Sequence, residues 1–574
     1  MEPLGRVNLA ATQEIYTPLK DSEIRTLTLL PSANPTAPIR CTLEVATALT
    51  NNLPPYSALS YVWGRCDDKD EFPTITLCNR SYSVDALCIN QYSLSKRSAQ
   101  VKLMHLIFAG AKQVIAWLGK FGAFEHMLGG VGAEQTKIMF STIRKSEAHK
   151  FKAPWLKNML RKHSDKLFDP LAELLLREFW TRIWITQEIV NAKKVVVTIG
   201  TESVPMQSLV QFLQSLYMLG EAGVKREGIR ALALQGLSKT FVHLQCTGRN
   251  EPWLNSPSLM TRIILLTSMK SATDLRDKLF GIRNLLPEKM QACIEVDYTK
   301  TVGQVFADAT RKLIELEDAM DGILWQPANY DRGEICQYYD IPTWAIGIVE
   351  EAKMSTSECA LGSRFRASGN FPPFYRFEGQ ELETRGFKVG VVKSTMADCV
   401  QSRDKDMAFR FTTVLKRRRE WFDETPWPCE AEAVDRQTYV MTILCGGWSW
   451  MVERVTRGIF GETADINDLE DRRWGEMLIM LSGRELFTFE PTSAGELDNC
   501  QGTSFKYMGL GCNEWVFPGD IICVLLGFKT PVILKPVGDK YEIVGDAYIR
   551  MYMNGEVMKG YSGDVEQLER FVIV

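Results

Sequence analysis

Trp184 and Glu188 bound the segment W-I-T-Q-E at residues 184–188. Four positions make one helical turn, so an indole and a carboxylate at that spacing can share a helix face. A single carboxylate in an aromatic pocket suits one kind of chemistry. It can stabilise the positive charge that develops when a bond to a neutral leaving group breaks. A leaving group that departs as a neutral base does not strictly need acid catalysis. Glu188 also has a structural reading, because Arg182 lies close in sequence and a buried ion pair or a cap would account for both. Perturbed carboxylates cluster in functional sites and structural pairs imitate them, so both readings stand. Gln187 belongs to the same segment.

Two earlier stretches carry further candidates. Residues 56–64, Y-S-A-L-S-Y-V-W-G, are apolar at most positions and include Ser60, Tyr61 and Trp63 before Gly64. The pattern predicts a buried strand that stops at the rim of a sheet. Ligands of open α/β sheets gather outside the carboxyl ends of such strands. A core strand with an aromatic end is the plainer alternative. In D-A-L-C-I-N-Q, residues 85–91, Asp85, Asn90 and Gln91 bracket an apolar run. Small polar residues at a strand end can bind ribose or phosphate, or satisfy a loop backbone. Cys88 reads as core rather than nucleophile, because no histidine is near in sequence to activate it. Trp63 and Trp117, each alone, read as core.

These residues need elements to hold them. Strands are predicted at 24–30, 39–43, 74–78, 114–118 and 195–199, the last taken as the final strand of its domain. A helix is predicted from Ser98, with Val101, Met104 and Phe108 at helical spacing, and another at 208–219. Residues 121–169 read as a polar, weakly patterned insert. Pro170 then suits the first turn of a helix whose apolar face, Leu171, Leu174, Leu175 and Phe179, continues through Trp180, Trp184 and Ile185. Further on, 260–269 and 302–316 read as helices, and D-L-R-D-K at 274–278 as a solvated helix start with local ion pairs. From Pro342 short strands separated by Gly and Pro predict a small barrel or sandwich. The expected divisions are a lead-in at 1–22, an α/β domain at 23–200, a helical region at 201–330 and a β-rich region at 331–574.

Bulk properties narrow the classes. The 574 residues are 45% hydrophobic and 24% charged, enough for two to four globular domains. A net charge of -3 gives no sign of a nucleic-acid-binding surface. The dense basic run K-R-R-R at 416–419 is read as a solvated helix face rather than a nuclear address. The 14 cysteines fall singly, and with the five histidines they make no metal motif, so no metal is expected. Neither a signal peptide nor a membrane-spanning run is recognisable. A soluble, intracellular, cytoplasmic protein is expected.

Residues 56–64, 85–91, A-K-Q-V-I-A-W-L-G at 111–119 and W-T-R-I-W-I-T-Q-E at 180–188 resemble, in this order, the signature blocks of the HET domain. This is the heterokaryon incompatibility domain of filamentous fungi. The similarity extends upstream to residues 23–31. Segments at 272–281, 296–299 and 553–556 match what often follows the domain. The resemblance implies a role in nonself recognition and programmed cell death. The HET domain is in turn similar to the TIR domain, so an α/β fold with a TIR-like parallel sheet is expected at the N-terminus. In that comparison A-L-S-Y at 58–61 is similar to the first TIR strand, and 114–119 to the strand before the catalytic helix. Trp184 and Glu188 have the spacing of the TIR W-C-x-x-E element, with Ile185 in place of the Cys. The likeness implies Glu188 as the catalytic residue of NAD cleavage, with NAD as substrate and no cofactor. The alternatives are a non-catalytic module that works by self-association or with an unidentified protein partner, and a degenerate member kept as a regulator.

The chain departs from the family pattern at one place. Tyr82-Ser83-Val84 runs directly into Asp85, where the family usually has a helix and a strand residue. A crossover between parallel strands needs a dozen or more residues. A coding segment absent from between Val84 and Asp85, or a damaged domain, would explain the shortcut. The family's Glu-Arg pair after I-N-Q is Lys96-Arg97 here, which removes any salt bridge that the Glu would make.

Overall fold

A computed structural model describes residues 19–20, 23–34, 37–47, 55–62, 74–77, 80–83, 88, 94–120, 133–220, 267, 270–324, 332–346, 365–396, 484–496, 508–512 and 516–574. The chain forms two compact units, residues 1–255 with 270–300, and residues 256–269 with 301–574. The architecture is mixed α/β.

The strands of the first unit are β1 (Glu23–Leu29), β2 (Arg40–Thr47), β3 (Ser57–Tyr61), β4 (Thr74–Leu77), β5 (Arg80–Ser83), β6 (Gln113–Trp117), β7 (Val195–Ile199) and β8 (Glu202–Pro205). Its helices are α1 (Leu94–Gly110), α2 (Ala133–Ala148), α3 (Ala153–Leu176), α4 (Trp184–Val190), α5 (Met206–Gly220), α6 (Asp277–Phe280) and α7 (Glu288–Gln291). One sheet has the order β1-β2-β4-β5 and another the order β3-β6-β7-β8. In the second, β3, β6 and β7 run parallel and β8 returns antiparallel. The segment predicted to end this domain at 195–199 is therefore followed by one more strand. Ala58, Val114, Ala116, Val195, Val197 and Ile199 turn inward at alternate positions, the period of a pleated strand. Leu59, on the opposite face of β3, is 51% exposed. Among the described residues β3 pairs only with β6, and the strand predicted as buried is buried on one face, that of Ala58 and Ser60.

The polar texture of 121–169 concealed two helices, α2 and α3. On α2, Thr136, Thr142 and Ser146 are buried beside Met139, Phe140 and Ile143, so small polar residues occupy part of the inward face and blur its apolar stripe. Ser146 Oγ satisfies itself on the Thr142 carbonyl at 2.8 Å. Pro154, not Pro170, occupies the first turn of α3, and Pro170 lies inside the helix. An interior proline costs about 3 kcal/mol in a helix. Burial of Leu171, Leu174 and Leu175 works against that cost. The expected continuation to Ile185 fails at Arg177, whose extended backbone ends α3. A 3-10 turn, Glu178–Thr181, and extended Arg182 follow before α4 begins. Arg177 pairs with Glu173 and donates to the Leu118 and Lys120 carbonyls at 2.8 and 3.0 Å. The end of β6 is thereby tied to the break that precedes α4. Gly119 sits between those two carbonyls at φ +102°, a conformation that side chains rarely adopt.

The second unit opens with α8 (Val302–Glu317), capped by a Thr301–Gln304 box, and α9 (Arg332–Tyr339). Its strands are β9 (Arg376–Glu378), β10 (Glu381–Met396), β11 (Arg484–Pro491), β12 (Met508–Cys512), β13 (Ile521–Leu525), β14 (Val532–Val537), β15 (Lys540–Tyr548) and β16 (Glu569–Ile573). Long β10 pairs along its length with β16, β13 and β11, with register shifts at Lys388/Gly390 and Val392/Ser394. The pairings β10-β13-β14-β15-β16-β10 close a circuit. Of the barrel and the sandwich that strand spacing predicts, this is the barrel. The M-N-G-E segment is a turn of this unit: Gly555 has φ +83°, and the Asn554 amides, backbone and side chain, donate to Glu556. No helix among the described residues is long and apolar enough to cross a membrane.

Candidate active site

The site forms where α4 meets the carboxyl end of β3. The chain reaches α4 through a short parallel bridge, Arg182 to Ser271. There the Ser271 amide donates to the Thr181 carbonyl at 2.5 Å and the Ile183 amide to the Ser271 carbonyl at 3.0 Å. These bonds fix where α4 starts. Ile185, Thr186, Gln187, Glu188 and Ile189 are then all buried. Seven residues of helix are too short to stand alone, so packing holds them.

Glu188 is 7% exposed and Ser60 1%. The Ser60 hydroxyl donates to Glu188 Oε2 at 2.5 Å, across 128 positions of sequence. The Arg182 guanidinium donates to the Tyr61 carbonyl. Burial pushes the Glu188 carboxyl above its ordinary range, and the Ser60 hydroxyl and the Arg182 charge pull it back. Ser60, Tyr61, Arg182 and Glu188 thus form one polar knot in an apolar setting. Ala58, Val114, Ala116, Ile185 and Ile189 belong to the surrounding core.

Trp184 and Gln187 point to other partners. Asn284 donates to Gln187 Oε1 at 3.4 Å, while Gln187 Nε2 and Thr186 Oγ1 are buried with no hydrogen-bond partner among the described residues. Trp184 Nε1 donates to Asp277 Oδ2 at 3.0 Å. Trp63, Gly64, Asp85, Asn90 and Gln91 lie outside the described residues. Cys88 is half-buried, and burial raises its thiol above the ordinary range.

The Asp277 cluster is what the reading of the sequence missed. The D-L-R-D-K stretch is not a solvated helix start: Asp277 is 5% exposed and Lys278 fully buried. Asp277 accepts from Trp184 Nε1, from the Tyr298 hydroxyl at 2.5 Å and from Arg97 at 3.5 Å. The Arg97 guanidinium lies 3.8 Å from the centre of the Tyr298 ring, a cation–π contact. Asp274 holds Arg276 through two bonds at 2.9 and 2.8 Å, and Arg276 donates to the Tyr298 and Lys300 carbonyls. Burial lifts the Asp277 carboxyl to about 6, against the pull of Arg97. The same burial, helped by the Asp277 charge, raises the Tyr298 hydroxyl. The signal available in sequence was the charged run itself, followed directly by Leu279-Phe280-Gly281. Its partner Arg97 lies 180 positions from Asp277, which no local pattern reveals. Lys96-Arg97 therefore keeps its ionic role through the arginine, whatever the lysine displaced.

Two lysines complete this side of the unit. Lys278 Nζ donates to the Lys270 carbonyl, and Lys270 Nζ to the Trp180 carbonyl at 2.8 Å. Burial, with Lys278 close by, lowers Lys270 to about 8.

The fold and the site define a mixed α/β protein with a buried carboxylate beside the end of a parallel strand. The family model described as heterokaryon incompatibility protein (HET) matches residues 74–188, ending on Glu188 itself. The chain is also similar to heterokaryon incompatibility protein 6, OR allele, of Neurospora crassa. The two are 23% identical over 687 positions, covering 99% of this chain and 98% of that protein. The aligned length exceeds the 574 residues here, so the relative has residues with no counterpart in this chain. Residues 74–188 thus match the HET family model, and the chain along its length is similar to a fungal heterokaryon incompatibility protein. No solved structure matches it.

Proposed function

We propose that this chain acts in heterokaryon incompatibility, as a cytoplasmic effector of fungal nonself recognition and the cell death that follows. We further propose that its first unit is TIR-like and cleaves NAD, with Glu188 as the catalytic residue. The observation that carries the reading is Glu188, held buried against Ser60 at the carboxyl end of a parallel strand. In the reaction the bond between ribose C1′ and the nicotinamide nitrogen breaks. Nicotinamide leaves with the bonding pair as a neutral base. Positive charge spreads over C1′ and the ring oxygen, and the Glu188 carboxylate faces that charge. Water adds to C1′ and releases a proton, giving ADP-ribose. Ser60 orients the carboxylate through its hydroxyl.

A second reading is favoured by the same burial. A glutamate at 7% exposure with a satisfied oxygen and an arginine close by is also what a purely structural knot looks like. On that reading the unit signals by self-association or through a protein partner, without catalysis. The substitution Glu188→Gln separates the two, because it keeps the shape of the side chain and removes its charge. In fungal cells expressing the chain with the segment between Val84 and Asp85 restored, NAD should fall. In cells expressing E188Q, at equal protein level and thermal stability, it should hold steady. Cells that die with undiminished NAD would eliminate cleavage and leave self-association.

A further inference from the structure

The first unit carries a second cluster that the reaction above does not use, and α4 joins it to Glu188. Trp184 opens the helix and Glu188 lies one turn along it. Glu188 is held at its end by Ser60, and Trp184 at its end by Asp277. We propose that Asp277 is a positioning residue for Glu188: by accepting the Trp184 indole N–H it sets the rotation and depth of α4, and so the placement of the Glu188 carboxyl against Ser60.

The geometry supports this in three ways. Asp277 is itself over-determined, with Trp184, Tyr298 and Arg97 all donating to it, so it is a fixed point rather than a mobile acceptor. Tyr298 is in turn clamped by the Arg97 and Arg276 guanidinium groups, 3.8 and 5.3 Å from its ring centre. Finally, α4 has no side-chain cap of its own at Ile183. A short helix without a cap takes its orientation from what holds its ends. Residues 270–300 belong to the same compact unit as β3 and α4, although they follow the family match that ends at residue 188. The D-L-R-D-K stretch is thus a working part of the site, supplied from outside the matched segment.

The catalytic half of the proposal rests on the NAD-cleavage reading of Glu188, so the test has one readout independent of activity. In the purified full chain with carbon-13-labelled glutamate carboxyls, the Glu188 resonance is assigned by its absence in E188Q and titrated. Loosening α4 exposes the carboxyl, so Trp184→Phe and Asp277→Ala should each lower its midpoint toward the ordinary range. Asp277→Asn keeps an acceptor oxygen for Trp184 and should largely restore the native midpoint. The double variant W184F/D277A should show no more than either single change. Tyr298→Phe serves as the milder probe if Asp277→Ala does not fold. NAD cleavage is measured in parallel, where a loss of about tenfold or more in kcat with little change in KM is expected of Trp184→Phe. A Glu188 midpoint unmoved in folded Trp184→Phe and Tyr298→Phe proteins overturns the positioning role. A midpoint that moves in a protein that never cleaves NAD upholds the positioning role and removes the catalytic reading alone.

Discussion

The two units bury different things. The barrel of the second unit has an interior of Val389, Phe487, Phe489, Ile522, Val524 and Ile533, and its buried Asp520 is satisfied locally by the Phe517 amide three residues away. Among the described residues the first unit buries Glu173, Arg177 and Glu188 in one stretch of chain and Lys270, Asp277 and Lys278 in another. Taking an ion out of water costs several kcal/mol even in a relaxed protein, and a buried pair seldom recovers more than that. Apolar burial has no such cost. The barrel interior is therefore chiefly apolar packing, whereas the first unit holds buried charged groups that each need a partner. That contrast is why the Glu188 and Asp277 clusters are the ones proposed as functional.

The largest expected effect tests the barrel half of the contrast. Phe487 is fully buried and its ring fills the space beside Gly509, where a Cβ would come within 2.3 Å of it. Phe487→Ala should cost about 3–5 kcal/mol of stability. Denaturant unfolding of the variant checks this, and a loss under about 1 kcal/mol would mean that the barrel is not packed as described.

Glu188→Gln should show the opposite balance. The barrier to NAD cleavage should rise by about 2.7–4 kcal/mol, roughly a hundredfold or more in rate. Stability should change less, because the glutamine amide would keep the Ser60 contact and remove a desolvated charge. A variant that is merely unfolded would place Glu188 with the structural groups.

Asp277 gives a pH signature. Its carboxyl sits at about 6 in the fold, above the ordinary 3.8. The folded state therefore holds the proton more tightly than the unfolded state between those values. Stability from this group is full below about pH 4, falls as pH rises to about 6, and is lower by about 3 kcal/mol above that. Asp277→Asn should flatten this window relative to the native chain. Equal slopes for the two proteins from about pH 4 to about pH 6 would contradict the burial of an ionisable Asp277.

Smaller still is the cap of α8. Thr301 Oγ1 accepts from the Gln304 amide at 3.2 Å, and Gln304 Oε1 from the Thr301 amide at 3.0 Å. Thr301→Ala should cost about 1 kcal/mol. The same unfolding measurement reads it, and NAD cleavage should be untouched. A last prediction has no energy attached. The genomic sequence between the codons for Val84 and Asp85 should encode an in-frame helix and short strand. Among the described residues β3 pairs with β6 alone, which agrees with that. A transcript and gene joining the two codons directly would refute it.

Local pattern determined a good deal by itself. The runs predicted as strands at 195–199 and 74–78 match β7 and β4, because β-branched content is a property of neighbouring positions. The helix at Val302–Glu317 was legible from its apolar spacing in the same way. The W-I-T-Q-E spacing put Trp184 and Glu188 one turn apart on one short helix. Where the signal was diluted, the sequence misled. Buried threonines and a serine hide α2, and Pro170, which suits a helix start by its sequence, lies inside α3. Only the tertiary structure could decide what each candidate touches. Ser60 meets Glu188 across 128 positions, and Arg97 meets Asp277 across 180. A charged run such as D-L-R-D-K has the same local appearance in water and in a core. Whether it is solvated or buried depends on which distant groups arrive to pair with it, and that is settled by packing rather than by neighbours in the chain.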